Sequence, residues 1–215
     1  TRRTMLFTNL ATIFVGMGLY FAFLGLTQFV QISSETAGYG FGATVLEASV
    51  VYLLPGALTG FVIALISGRF IDRFGARPVL IIAASAGIVG FLFVAFAHSS
   101  TWQVIVASIL ANAYISLGYG ALPALVVSEV GPGETGIATS MNAIARTVGS
   151  STAAALVAVV LGRTTLAGTP MESSFVAIFV GGAVTAALAM ILIALSKQRG
   201  PAVDSPEARY ESRAM

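Results

Sequence analysis

The chain of 215 residues has no cysteine, one histidine, one lysine and little charge of either sign, with only 9% of residues charged. Without cysteine there is no disulfide framework, thiol nucleophile or thiolate metal site, and the redox compartment stays undetermined. His98 stands alone at a loop edge, with no serine, cysteine or metal-ligand constellation beside it. A lone loop histidine is usually inert, so the chain is not expected to be an enzyme or to hold a cofactor or metal. An ordinary soluble domain is about 25% charged, so a water-soluble core is excluded. The net charge of +2 and the pI near 9.2 come from a few arginines and form no basic footprint for nucleic acid. Apolar/polar alternation of period two is also missing and the apolar runs exceed the ~10 residues of a barrel strand, so helices are the better way to satisfy the backbone in lipid.

What is present is apolar sequence, 57% of residues with a mean hydropathy of +0.92. Six runs stand out, at about 5–30, 45–67, 78–97, 102–127, 137–162 and 174–196, each near the ~20 residues that cross ~30 Å of hydrocarbon. The expected fold is an all-α membrane protein, with a six-helix transmembrane bundle over 1–196 and a charged, proline-containing, disordered cytoplasmic tail over 197–215. The first run exceeds the apolar part of a signal peptide and lacks a convincing cleavage site, so it is expected to stay as a span. The chain begins at Thr1, not Met, which points to sequence upstream.

Orientation follows from the cations. Arg2, Arg3, Arg69, Arg73, Arg77, Lys197, Arg199, Arg209 and Arg213 fall on one side of a six-span layout, and only Arg163 falls in a loop on the other. Positive loops stay inside, so both termini are expected in the cytoplasm of a multi-pass cell-membrane protein. Tyr39 and Trp102 then lie at the outer headgroups. The excess of arginine over lysine points weakly to a bacterial genome.

Polar residues sort by helix. The third and sixth runs are nearly featureless and are expected to face lipid. The first carries Asn9, Thr12, Gly16, Tyr20, Thr27 and Gln31 with Gln28 alongside, and the fourth carries Ser108, Asn112, Ser116 and Tyr119, in steps of three, four or seven that keep one face. Such stripes either glue helices together or face a water-filled cavity, and the size of Tyr20 and Asn112 favours the cavity. Runs one and four are equivalent positions in two three-helix units, and an odd number of spans inverts the second unit, giving two inverted repeats. Runs two and five hold small residues, Gly56 and Gly60 in the second and Gly136, Ser140, Gly149 and Ala153 in the fifth, suited to close packing at an interface between helical blocks. Pro55 is expected to kink the second run, and Gly118, Gly120 and Pro123 to soften the fourth. Gly38–Gly42 (GYGFG) has no preceding strand and is expected to be a turn.

Between runs two and three lies Gly68–Leu80, GRFIDRFGARPVL, with four charges and two glycines. Gly68, Asp72, Arg73, Gly75, Arg77 and Leu80 match GxxxDRxGxRxxL, which resembles the inter-helix signature of the major facilitator superfamily. Gly68 suits a tight helix exit and Gly75 a turn. Tyr52–Gly60 and Gly131–Gly149 extend the likeness, resembling the C-terminal half of drug-proton antiporter-like members. The patterns common in an N-terminal half, an arginine in the fourth helix and a glycine-proline motif in the fifth, are missing.

The resemblance implies half of a carrier that moves a small solute by alternating access, with proton-coupled efflux of drug-like or amphiphilic molecules as the branch suggests. A second six-helix bundle is implied as partner, either a missing N-terminal half or another copy of the chain. For a homodimer, Asp72 of one copy is expected near the start of helix five, around Gly136, of the other. The substrate-pathway candidates are Asn9, Tyr20, Gln28, Asn112, Ser116, Tyr119 and Arg146. Arg146 lies mid-span, where it either snorkels, pairs with an acid or holds a substrate. Glu47 opens the second run, where a carboxylate is ordinarily a partner of the helix dipole. No other acid lies in a span, so a coupling carboxylate would belong to the other bundle. The competing reading is a non-transporting membrane interaction subunit or truncated half-transporter.

Overall fold

The computed structural model describes residues 2–128, 130–131, 133–164 and 168–196, so the tail 197–215 lies outside the described residues. Six long helices are long and apolar enough to cross a membrane: α1 (Arg2–Gln31), α2 (Val45–Phe74), α3 (Ala76–Phe96), α4 (Thr101–Val127), α5 (Thr135–Leu161) and α6 (Glu172–Leu195). Among the described residues no strand interrupts them beyond one isolated bridge, Thr164 to Pro170.

The connections at the end of the bundle away from the termini, the distal end, are built from specific local chemistry. Gly38, Gly40 and Gly42 all have positive φ, and a Cβ on Gly40 would strike the Ile32 carbonyl, so GYGFG is a turn. α2 then opens on a reciprocal cap. The Thr44 hydroxyl accepts from the Glu47 backbone at 3.2 Å, and the Glu47 carboxylate accepts from the Thr44 N–H at 2.9 Å. At α4 the Gln103 side chain accepts from the Ser100 N–H at 2.9 Å.

One expectation for α2 changes. Gly68 is not a helix exit: the helix continues to Phe74, α3 begins at Ala76, and the turn is Gly75 alone, at φ 84° and ψ 155°. Residues 68–74 prolong the helix past its apolar part because arginine stems can run along the helix while their heads reach water. Pro55 lies at the start of the α-helical part. Ala48–Leu53, just before it, is π-helical, and the Leu54 N–H reaches back five residues to the Ser49 carbonyl. In an α-helix each step of four overshoots one turn by about 40°. The wider stretch offsets that overshoot, so Ala48, Tyr52, Gly56 and Gly60 are all buried.

The packing partners form a symmetric set. α1 packs on α4, α5 and α6; α4 packs on α1, α2 and α3; α3 packs on α6. Exchanging α1 with α4, α2 with α5 and α3 with α6 maps these contacts onto themselves, as two inverted three-helix repeats require. Lipid supplies no hydrophobic drive between helices, so tight packing must hold them. Large side chains fill spaces over glycines accordingly: Tyr114 lies between Gly18 and Gly87, and Phe91 lies against Gly182.

The helices are covered unevenly. Between 44% and 50% of the most apolar window is buried in α1, α3, α4 and α6, against 17% in α2 and 22% in α5. α3 and α6 therefore form the body of the bundle, keeping one apolar face outward through residues such as Ile82, Val89 and Ile191. Their lack of polar groups reflects partners that are themselves apolar. α2 and α5 each give one stripe to the bundle and expose the rest, including Leu58, Phe61, Leu65, Ile137 and Ile144.

Candidate functional site

The polar stripe of α4 lies against the glycines of α2. A Cβ on Gly56 would meet Ser108 Oγ and come within 2.7 Å of Asn112 Nδ2, and one on Gly60 would come within 2.7 Å of Ser116 Oγ. Asn112 donates its amide to the Ser108 carbonyl at 2.9 Å, while the buried Ser108 hydroxyl has no partner. Ser116 thus packs beneath Gly60. Asn112 also reaches a cavity of about 120 Å³ between α1, α2 and α4, bordered by Leu19, Phe23, Leu53 and Ala57. A larger groove of about 500 Å³, lined by side chains such as Phe70, Phe74 and Ile82, offers no polar atom and lies toward the Gly75 turn.

The matching contact of α5 with α1 runs backbone to backbone. A Cβ on Gly149 would strike the Ile13 carbonyl, and one on Gly16 would stand 2.5 Å from the Arg146 carbonyl. Gly149 and Ala153 are buried, whereas Gly136 and Ser140, expected in the same interface, are exposed. Asn142, which the sequence reading did not single out, is 2% exposed and donates to Thr12 Oγ1 at 2.6 Å and to Asn9 Oδ1 at 3.5 Å. Its signal was its spacing of seven from Gly149, which places both on one helical face. Asn9 is therefore held at the α1–α5 contact, and Gln28 is exposed near the distal end.

Three of the candidates do converge. Arg146, about eleven residues and so roughly 16 Å along α5, places its guanidinium 4.8 Å from the centroid of the Tyr119 ring of α4. Tyr20, on α1, lies in the neighbourhood of the Tyr119 phenol. Three helices from both repeats thus place one cation and two phenols together. Among the described residues no carboxylate forms an ion pair with Arg146, and no group of residues is suited to hold a metal. A guanidinium on an aromatic face keeps its N–H donors at the edge, available to an acceptor.

His98 is held by contacts from several elements. Its Nδ1 lies 2.8 Å from the Val94 carbonyl and its Nε2 3.0 Å from Glu172 Oε1, and its ring stands edge-on to Phe29 at 5.1 Å. Tyr39 stacks on the same Phe29 and donates its hydroxyl to the Pro170 carbonyl. Burial, and then the charge of Glu172, push the Tyr39 phenol above its ordinary range. These groups border a distal cavity of about 340 Å³.

At the opposite end the signature residues are arranged around Gly75. Arg77 donates Nε–H to the Ile193 carbonyl at 3.1 Å and a second N–H to Ala194, closing the C-terminus of α6. Arg73 lies 5.3 Å from the Phe74 ring centroid, and Asp72 is exposed.

Comparison with curated proteins returns no match. The family model of the Major Facilitator Superfamily matches residues 5–213, through all six helices. With the signature around Gly75 and the inverted six-helix bundle, this match places the chain in the major facilitator superfamily, a family of membrane transporters.

Proposed function

We propose that the chain is one half of an alternating-access carrier, with both termini cytoplasmic, that exports drug-like or amphiphilic solutes in exchange for protons. The observation that carries the reading is the contact of the Arg146 guanidinium of α5 with the Tyr119 ring of α4, with Tyr20 of α1 in the neighbourhood. A charge in the bilayer costs at least about 2.5 kcal/mol unless accommodated, and here an aromatic face supplies only part of that accommodation. Arg146 then receives an acceptor group of the solute, while the phenols and the Asn112 amide offer further polar contacts. The second bundle, whether an N-terminal half or another copy, covers the sparsely buried faces of α2 and α5 and supplies the coupling carboxylate. In a homodimer Asp72 would meet the start of the partner's fifth helix around Gly136.

The test is extrusion of an amphiphilic fluorescent dye by proteoliposomes carrying the particle extracted from its own membrane, with and without an imposed proton gradient. Arg146→Ala is expected to lower flux at least about tenfold, one lost charge-assisted contact, while insertion and thermal unfolding stay near wild type. Unchanged flux rejects the role of Arg146. The exposed faces of α2 and α5 also suit a non-transporting interaction subunit, and absence of flux from a particle that retains its second bundle would favour that reading.

A further inference from the structure

The hydrogen-bond geometry of His98 fixes a proton count. The Val94 carbonyl can only accept, so Nδ1 carries a hydrogen, and Nε2 faces a carboxylate oxygen that, when ionised, can also only accept. A neutral imidazole beside an ionised Glu172 leaves one of these contacts without a proton. Both are made only when the pair holds one more proton, on the ring or on the carboxyl. We propose that His98 and Glu172 form a one-proton binding site at the distal end, which clamps the α3–α4 connection to the start of α6.

The surroundings are suited to such a site. The His98 side chain is 16% exposed and that of Glu172 52%, so the carboxylate meets the aqueous phase while the ring is largely enclosed. From α1 the ring meets Phe29, which cannot titrate. From the α1–α2 connection Tyr39 is the titratable neighbour, and its hydroxyl is committed to Pro170. From α6 the facing charge is Glu172, and among the described residues no other charged group pairs with His98. Val94 and Phe29 belong to α3 and α1, so the protonated pair joins three helices at one point. Proton loss leaves His98 its hydrogen bond to Val94 of α3 and its contact with Phe29 of α1, without the tie to α6. The site is separate from the Arg146 cluster and does not depend on what the carrier moves.

The single histidine makes the test specific. The full chain, labelled with ¹⁵N in histidine and reconstituted in nanodiscs, is titrated between about pH 5 and 8, the range in which imidazoles change charge. Glu172→Gln keeps the size of the side chain and can donate its amide to a neutral ring, so it removes the need for the extra proton. The wild-type ring is expected to show two N–H groups while it holds the Glu172 contact, and the ring of Glu172→Gln to hold the same contact with one. Glu172→Asp is expected to follow wild type. As a second readout, spin labels at Ser99→Cys and Ser173→Cys should separate on proton loss in wild type and show no pH dependence with Glu172→Gln. Equal N–H counts in the contact-holding states of wild type and Glu172→Gln, or a wild-type distance indifferent to pH, would overturn the proposal.

Discussion

The α2–α4 and α5–α1 contacts occupy equivalent places in the two repeats, yet they are made in opposite ways. In the first, glycines on the flanking helix receive polar side chains from the central one, with Gly56 and Gly60 over Ser108, Asn112 and Ser116. In the second, Gly149 and Gly16 bring the backbones together, and the polar contact is a single amide, Asn142, reaching Thr12. The first seam can yield at Gly60, where the Ser116 hydroxyl can rotate, although at Gly56 the Ser108 carbonyl also stands 2.7 Å away. The second cannot, because its obstacle is a carbonyl. Repeated architecture therefore fixes where helices meet but not what chemistry each meeting carries, and only the rigid seam holds a charged residue, Arg146, at its edge.

The sharpest way to break the comparison is to add one methyl to each seam and follow unfolding in detergent. Gly149→Ala meets the Ile13 carbonyl and is expected to cost about 3 kcal/mol, the upper part of the range for overpacking, or to prevent assembly. Asn142→Ala should cost about 1 kcal/mol, and a double-mutant cycle with Thr12→Val should return a coupling of about 0.6 kcal/mol. Gly60→Ala should cost less than about 1 kcal/mol, because Ser116 can turn aside and alanine is the better helix former. If Gly60→Ala proves as damaging as Gly149→Ala, the distinction between a yielding and a rigid seam is lost. The smallest effect is expected from Ser108→Ala. Its buried hydroxyl has no partner, so removal should be neutral or slightly stabilising, within about 0.5 kcal/mol.

The seams also show which parts of the molecule were legible in the sequence. Six spans follow directly from apolar run length, and the inverted repeat follows from polar residues recurring in runs one and four. Boundaries were less visible, because the sequence between Arg69 and Phe74 is charged enough to resemble a loop although its backbone continues α2. The convergence of Tyr20, Tyr119 and Arg146 could be anticipated as three mid-span polar residues. Their contact depends on how the repeats cross, which no single-helix pattern encodes. Asn9, Ser116 and Asn142 illustrate the remaining difficulty: a polar residue opposite a glycine on another helix has the same periodicity as one facing water. The His98 contact was illegible for a simpler reason, since its partner Glu172 lies 74 positions away in the chain.

The π-helical stretch of α2 has a further consequence. A turn that reaches five residues back contains one residue more than the α-helix it replaces, so α2 carries a spare position between Ala48 and Leu53. Removing one residue there should let the helix close into ordinary turns while Gly56, Gly60 and everything after them keep their heading toward α4. The same deletion among residues 61–66 would swing the Gly75 turn and its arginines about 100° around the helix axis. Length variation in this helix is therefore tolerable in one place, above the seam and away from the signature.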